Sequence, residues 1–140
     1  MTNSEAATML VEKGIRPSPQ RIAVLEYVRN NPIHPTADKV YCALSPDIPS
    51  LSKTTVYNSL KQLVAAGFLQ TVNIEDDELR YDGNIEEHYH FKCLNCGEIF
   101  DIPAEHGFSI PAMPENFSIQ KIQTNIWGLC GSCREKGGKN

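Results

Sequence analysis

No apolar run in this 140-residue chain approaches the ~20 residues that a membrane span requires, so no transmembrane segment is expected. Residues 1–10 lack a basic leader followed by a long apolar stretch. No signal peptide is legible there, and a cytoplasmic location is expected by default. Five cysteines are present. In the cytosol paired cysteines serve more readily as metal ligands than as structural disulfides. The chain also lacks the strand–helix–strand context in which a Cys-x-x-Cys pair acts as a redox dithiol. The length suits one domain or two very small ones.

The net charge of −4 is unevenly spread. Residues 1–72 hold seven Lys/Arg and five Asp/Glu, a net of +2, whereas residues 73–140 hold six and twelve, a net of −6. The first half can face a polyanion and the second can hold cations.

What is present in the second half is two ligand sets. Cys93/Cys96 and Cys130/Cys133 have the spacing of a closed, tetrahedral four-thiolate Zn²⁺ site. His88 and His90 alternate with Tyr89 and Phe91, which in a strand puts both imidazoles on one face. Cys93–Gly97 reads as a knuckle, and residues 98–102 read as the return strand, carrying Asp101 to lie across from the histidines. Histidines with a carboxylate suit a harder, exchangeable cation such as Fe²⁺ or Mn²⁺. Ile119, Ile122, Thr124 and Ile126 predict a strand leading to the last cysteine pair. Pro111 and Pro114 keep any helix in 104–117 short, and the tail 134–140 reads as polar and loose. Cys42 reads as a buried small apolar residue, and His106 as solvent-facing, an auxiliary metal role being the alternative.

In the first half, Ser18-Pro19 opens a helix with Ile22, Leu25 and Val28 inward. His34 is expected to be extended, because it precedes Pro35. Thr36 caps a second helix with Val40, Tyr41 and Leu44 inward. Ser52 caps a third, residues 52–66, with Val56, Leu60, Leu63 and Val64 buried and Gly67 just past its end. Strands follow at about 68–74 and 79–82, joined by the acidic turn 75–78. This order predicts a winged helix-turn-helix whose third helix reads the DNA major groove. On its polar face Thr54 and Thr55 can reach phosphates, and Tyr57 and Asn58 can reach bases; a small helical domain with a merely solvated face is the plainer alternative. Phosphate would repel the acidic turn, so the tip of the wing is not expected to press on the DNA backbone.

Seven stretches together resemble the ferric uptake regulator (Fur) family. They are residues 14–21, residues 34–38, Thr55-Val-Tyr57, Arg80-Tyr-Asp82, His88-Tyr-His90 and the two cysteine pairs, in order over about residues 10–133. Within the family the chain is most similar to the peroxide-sensing PerR class. That resemblance implies a regulatory Fe²⁺ or Mn²⁺ site of His34, Asp82, His88, His90 and Asp101, besides structural Zn²⁺ on the four cysteines. Iron-sensing relatives usually have Glu at 82 and 101 and a His-His-Asp-His run where this chain has Glu87-His88-Tyr89-His90. The resemblance also implies a homodimer on palindromic double-stranded DNA, Arg16 in a minor groove, and Tyr57 on bases. Ser52, Thr54, Thr55 and Asn58 complete the expected DNA-binding set. The segment 104–117 departs from the longer helix usual in the family.

The expected fold is thus α+β, with a winged-helix domain over 1–83 and a small α/β dimerisation and metal-binding domain over 84–140. The expected function is a metal-dependent repressor, not an enzyme, with no membrane partner and no small organic substrate. It senses hydrogen peroxide through iron-catalysed oxidation of His34 or His88. The alternatives are an iron- or other metal-responsive uptake repressor and, more remotely, a zinc-ribbon redox protein.

Overall fold

The structure, a computed structural model, describes residues 1–75, 77–105, 107 and 109–137. The chain divides into two compact units, residues 1–85 and 86–140. Among the described residues no helix is long and apolar enough to cross a membrane.

The first unit begins with four helices: α1 (Asn3–Glu12), α2 (Pro19–Asn30), α3 (Ala37–Leu44) and α4 (Lys53–Ala65). Each opens on a side chain that accepts a backbone N–H: Thr2, Ser18, Thr36 and Ser52. At the end of α4, Gly67 takes φ +85°. Its N–H donates to the Val64 carbonyl at 3.0 Å, and Phe68 N–H donates to that of Leu63, also at 3.0 Å. This paired closure sets Phe68 over Leu63, and both are buried. Strands β1 (Gln70–Val72) and β2 (Arg80–Asp82) then pair antiparallel as a wing. They are shorter than the sequence implies, because Phe68 and Leu69 are spent on the helix exit. Leu10, Leu25, Val40, Val56, Leu60 and Leu63 are sealed from solvent in one core. Burying each such side chain stabilises the fold by about 1.5–3 kcal/mol.

Helix α1 was not foreseen; its capping box of Thr2 and Glu5 is local, but only Ala6 and Leu10 are buried along it. Two expectations are corrected in this unit. Cys42 is exposed, not buried. Helix α3 turns Ala37 and Val40 inward, with Tyr41 and Leu44 packed beside them, so position 42 falls on the opposite face. His34 is not extended but sits at φ +54°. Histidine tolerates this left-handed region better than most residues. The Pro35 carbonyl accepts from Tyr81 N–H at 2.9 Å, and the His34 carbonyl accepts from the Arg80 guanidinium at 3.0 Å.

The second unit is a three-stranded sheet in the order β4-β3-β5. Its strands are β3 (His88–Cys93), β4 (Ile99–Pro103) and β5 (Asn125–Gly128), the last parallel to β3. A five-residue helix, α5 (Gly131–Glu135), follows and takes in the first two residues of the tail 134–140 that was expected to be loose. Among the described residues of 104–124 there is neither helix nor strand. The predicted strand therefore begins only at Asn125. His106 lies outside the described residues.

Candidate metal centres and nucleic-acid interface

The knuckle after β3 and the start of α5 bring four sulfurs together. The Sγ atoms of Cys93, Cys96, Cys130 and Cys133 all lie within 4.8 Å of one another, with Cys96 and Cys130 4.0 Å apart. Four thiolates at Zn–S distances of ~2.3 Å around one ion stand roughly 3.8 Å from each other. The observed cage therefore fits a tetrahedral cation. Backbone N–H groups already point at it. Cys130 and Cys96 donate to Cys93 Sγ at 3.4 and 3.5 Å, and Cys133 N–H donates to Cys130 Sγ at 3.4 Å. These donors, Cys130 first, draw the Cys93 thiol down to about 6. At Cys96 the Glu98 N–H pulls the same way, but the neighbouring Cys93 sulfur and desolvation prevail and raise it to about 11. One thiolate thus forms readily, and Cys96 and Cys130, both raised by their sulfur neighbours and desolvation, call for a cation to hold their charge.

The same strand carries the second ligand set of this unit. His88 and His90, two residues apart on β3, are both buried on one face. Register places Asp101 of β4 directly opposite His90. The two Nε2 atoms are 3.0 Å apart, and Asp101 Oδ1 stands 3.1 Å from His88 Nε2 and 3.6 Å from His90 Nε2. Donors held ~2.1 Å from one ion at right angles are roughly 3.0 Å apart, so this triangle suits adjacent positions on a cation. His88 Nδ1 lies 2.6 Å from the Glu86 carbonyl, which leaves Nε2 as the ligating nitrogen.

The first unit carries a further pair of ligand type. His34 Nε2 lies 3.4 Å from Asp82 Oδ2, and both side chains are 2 % exposed. Asp82 Oδ1 accepts from Asn84 N–H at 2.9 Å, which fixes the carboxylate plane.

The polar face of α4 opens onto a groove of about 330 Å³ in the first unit. Arg16, Ser18, Gln20, Arg21, Thr55, Asn58, Ser59 and Gln62 line it. Arg16, Thr54, Tyr57 and Asn58 are exposed. The Ser52 hydroxyl is taken up by the helix cap, accepting from Thr55 N–H at 3.1 Å. Gln20 and Arg21 were missed as candidates. Their signal is their place in the first turn of α2, where Arg21 donates to the Arg16 carbonyl at 2.9 Å and shapes that loop.

A winged helix joined to a sheet that bears a thiolate cage and a histidine–carboxylate cluster defines a class of metal-binding regulators. The chain belongs to the Ferric uptake regulator family, whose family model matches residues 12–125. It is 36% identical over 135 residues to the peroxide-responsive repressor PerR of Staphylococcus aureus, covering 94% of this chain and 91% of that protein. The structure of PerR from Streptococcus pyogenes is 30% identical, with a TM-score of 0.54, covering 94% of this chain and 92% of that one. The Helicobacter pylori ferric uptake regulator Fur, at 18% identity, has a TM-score of 0.69, covering 96% and 95% respectively, and speaks to the fold alone.

Proposed function

We propose that the protein is a metal-dependent, DNA-binding repressor that responds to hydrogen peroxide. The observation that carries this reading is the donor chemistry. His88, His90 and Asp101 converge in one unit, and His34 and Asp82 pair in the other. Five such ligands around one Fe²⁺ or Mn²⁺ would join the units through the connection at 83–87. With the cation bound, the two reading helices of a homodimer keep the spacing of a palindrome; without it, that geometry is lost. The exposed Ile102, Ile126 and Trp127 of the second unit support its role as the dimerisation surface. Family membership and the likeness to the PerR repressors support the peroxide response.

When bound, Fe²⁺ would pass one electron to the peroxide to open its O–O bond and take one back from the ring, so that the imidazole is the net two-electron donor; Mn²⁺ would not. The chain gains one oxygen atom on the ring of His34 or His88, and water is the other product. An oxidised imidazole is a poorer ligand, so the two units separate and DNA is released. The site is consumed in one turnover, which makes the protein a sensor, not an enzyme. The four thiolates hold Zn²⁺ in a closed shell and stay inert. A DNA partner also accords with a cytoplasmic location.

The test is mass spectrometry of the chain loaded anaerobically with Fe²⁺ or Mn²⁺ and given a low dose of H₂O₂. A single-oxygen gain on the peptide holding His34 or His88, with iron only, is expected. Its absence, with DNA binding retained, favours the second reading, a repressor that senses metal level. The carboxylates at 82 and 101 argue against that reading, being Asp where iron-sensing relatives usually have Glu.

A further inference from the structure

His34 holds a backbone conformation that L side chains rarely adopt, at φ +54°, and its ring is nevertheless buried against Asp82. Something must fix it there. The residues immediately after it lie along the free side of β2. Tyr81 N–H donates to the Pro35 carbonyl at 2.9 Å, and Thr36 bridges to Arg80. A contact to the His34 backbone comes from a side chain: Arg80 Nη1 donates to the His34 carbonyl at 3.0 Å.

Arg80 is placed for this by three features. It precedes Asp82 by two residues in β2, so the two side chains share one face of the strand. Its guanidinium is largely buried and closes on the turn between β1 and β2. Nε pairs with Glu75 Oε1, and Nη2 lies 3.8 Å from Glu78 Oε2. Glu75 is itself mostly buried. A planar guanidinium holds two carboxylates and a carbonyl from three separate nitrogens in a fixed fork, a geometry the single nitrogen of an ammonium does not supply. Glu75 and Glu78, which phosphate would repel, thus have a structural purpose.

We propose that Arg80 is a positioning residue for the regulatory cation. Clamped by Glu75 and Glu78, it holds the His34 backbone so that the imidazole and the Asp82 carboxylate present donors to the same point. This rests on the proposed reading, in which His34 and Asp82 are ligands. An outer partner of this kind typically contributes 10–100-fold to metal affinity.

The test is calorimetric titration of Mn²⁺ into the full chain with its thiolate site filled by zinc. Arg80→Gln is expected to weaken Mn²⁺ binding by about 10–100-fold and Arg80→Lys by less, with zinc content and helical circular dichroism unchanged. In a His34→Ala background, Arg80→Gln is expected to add less than about twofold, because the two act through one ligand. A purely structural role would instead give the same loss in both backgrounds and would overturn the inference. So would Arg80→Gln within about twofold of the wild type while His34→Ala loses binding. If Arg80→Gln does not fold, Glu75→Gln replaces it. That variant unclamps Arg80 without removing it and is expected to weaken Mn²⁺ several-fold; no change overturns the inference. If His34→Ala and Asp82→Ala leave Mn²⁺ affinity untouched, the five-ligand reading itself fails, and the role of Arg80 with it.

Discussion

Asp101 stands directly opposite His90 across the β3–β4 pair, and its Oδ1 lies within 3.6 Å of both His90 Nε2 and His88 Nε2. One carboxylate oxygen therefore faces two imidazoles. Asp101→Asn keeps the shape and removes the charge. Mn²⁺ affinity is expected to fall at least roughly tenfold, with zinc content unchanged. Equal Mn²⁺ affinity in the variant would remove Asp101 from the site.

Much of this was legible because its causes are local. Ser18, Thr36 and Ser52 each cap the helix that follows by a bond to a backbone N–H three residues on. The alternation of His88 and His90 needs only the two-residue period of a strand. Register across a short knuckle then brings Asp101 opposite. What was not legible depends on distant contacts. The φ of His34 is bound up with Arg80, 46 residues away. Cys42 is exposed because α3 turns Ala37, Val40, Tyr41 and Leu44 inward; six of its eight residues are apolar, so composition alone does not show that Cys42 is one left outside. Helix α5 rests on Cys130, whose Sγ accepts from Cys133 N–H, so its cap is also one of the four clustered sulfurs.

The connection to the second unit leaves β2 at Gly83, pressed on the end of α2. A Cβ there would stand 2.9 Å from Arg29 Cα and 3.1 Å from the Val28 carbonyl oxygen. Both neighbours are helix backbone and cannot yield cheaply. Gly83→Ala should therefore destabilise the first unit by about 1–3 kcal/mol, read from urea unfolding. It should also weaken Mn²⁺ binding by shifting Asp82. An unchanged midpoint would show that β2 slides freely on α2.

The two units differ in what holds them together. The apolar core described above lies wholly in the first. In the second, among the described residues, the buried apolar side chains are Cys93, Ile99 and Cys133. So small a core cannot offset the entropy of ordering a sheet, and metal binding must supply much of the difference. Stripping the thiolate site with a strong chelator, or replacing Cys96 by Ser, should collapse the amide dispersion of residues 88–135 in an NMR spectrum. The peaks of α2 and α4 should remain. Persistence of the second set after complete zinc loss would contradict this division.

The groove beside α4 separates charge from shape in a way that salt can read. Arg16 is exposed, and its carbonyl is held by Arg21, so its side chain is free to meet a polyanion. Tyr57 is exposed on α4 and offers a phenol ring in place of a cation. Neutralising a phosphate releases counterions, so each lost contact of that kind lowers the slope of log K against log salt by ~1. Arg16→Ala should weaken binding to operator and random DNA alike, with that shallower slope. Tyr57→Ala should cost about 1–3 kcal/mol on the operator alone and leave the slope unchanged. Fluorescence anisotropy between 50 and 200 mM salt, a range over which such contacts change affinity by orders of magnitude, distinguishes the two. If Tyr57→Ala weakened random DNA as much as operator, the residue would be a backbone contact, and specificity would have to come from Asn58 or from Gln20 and Gln62 in the groove wall.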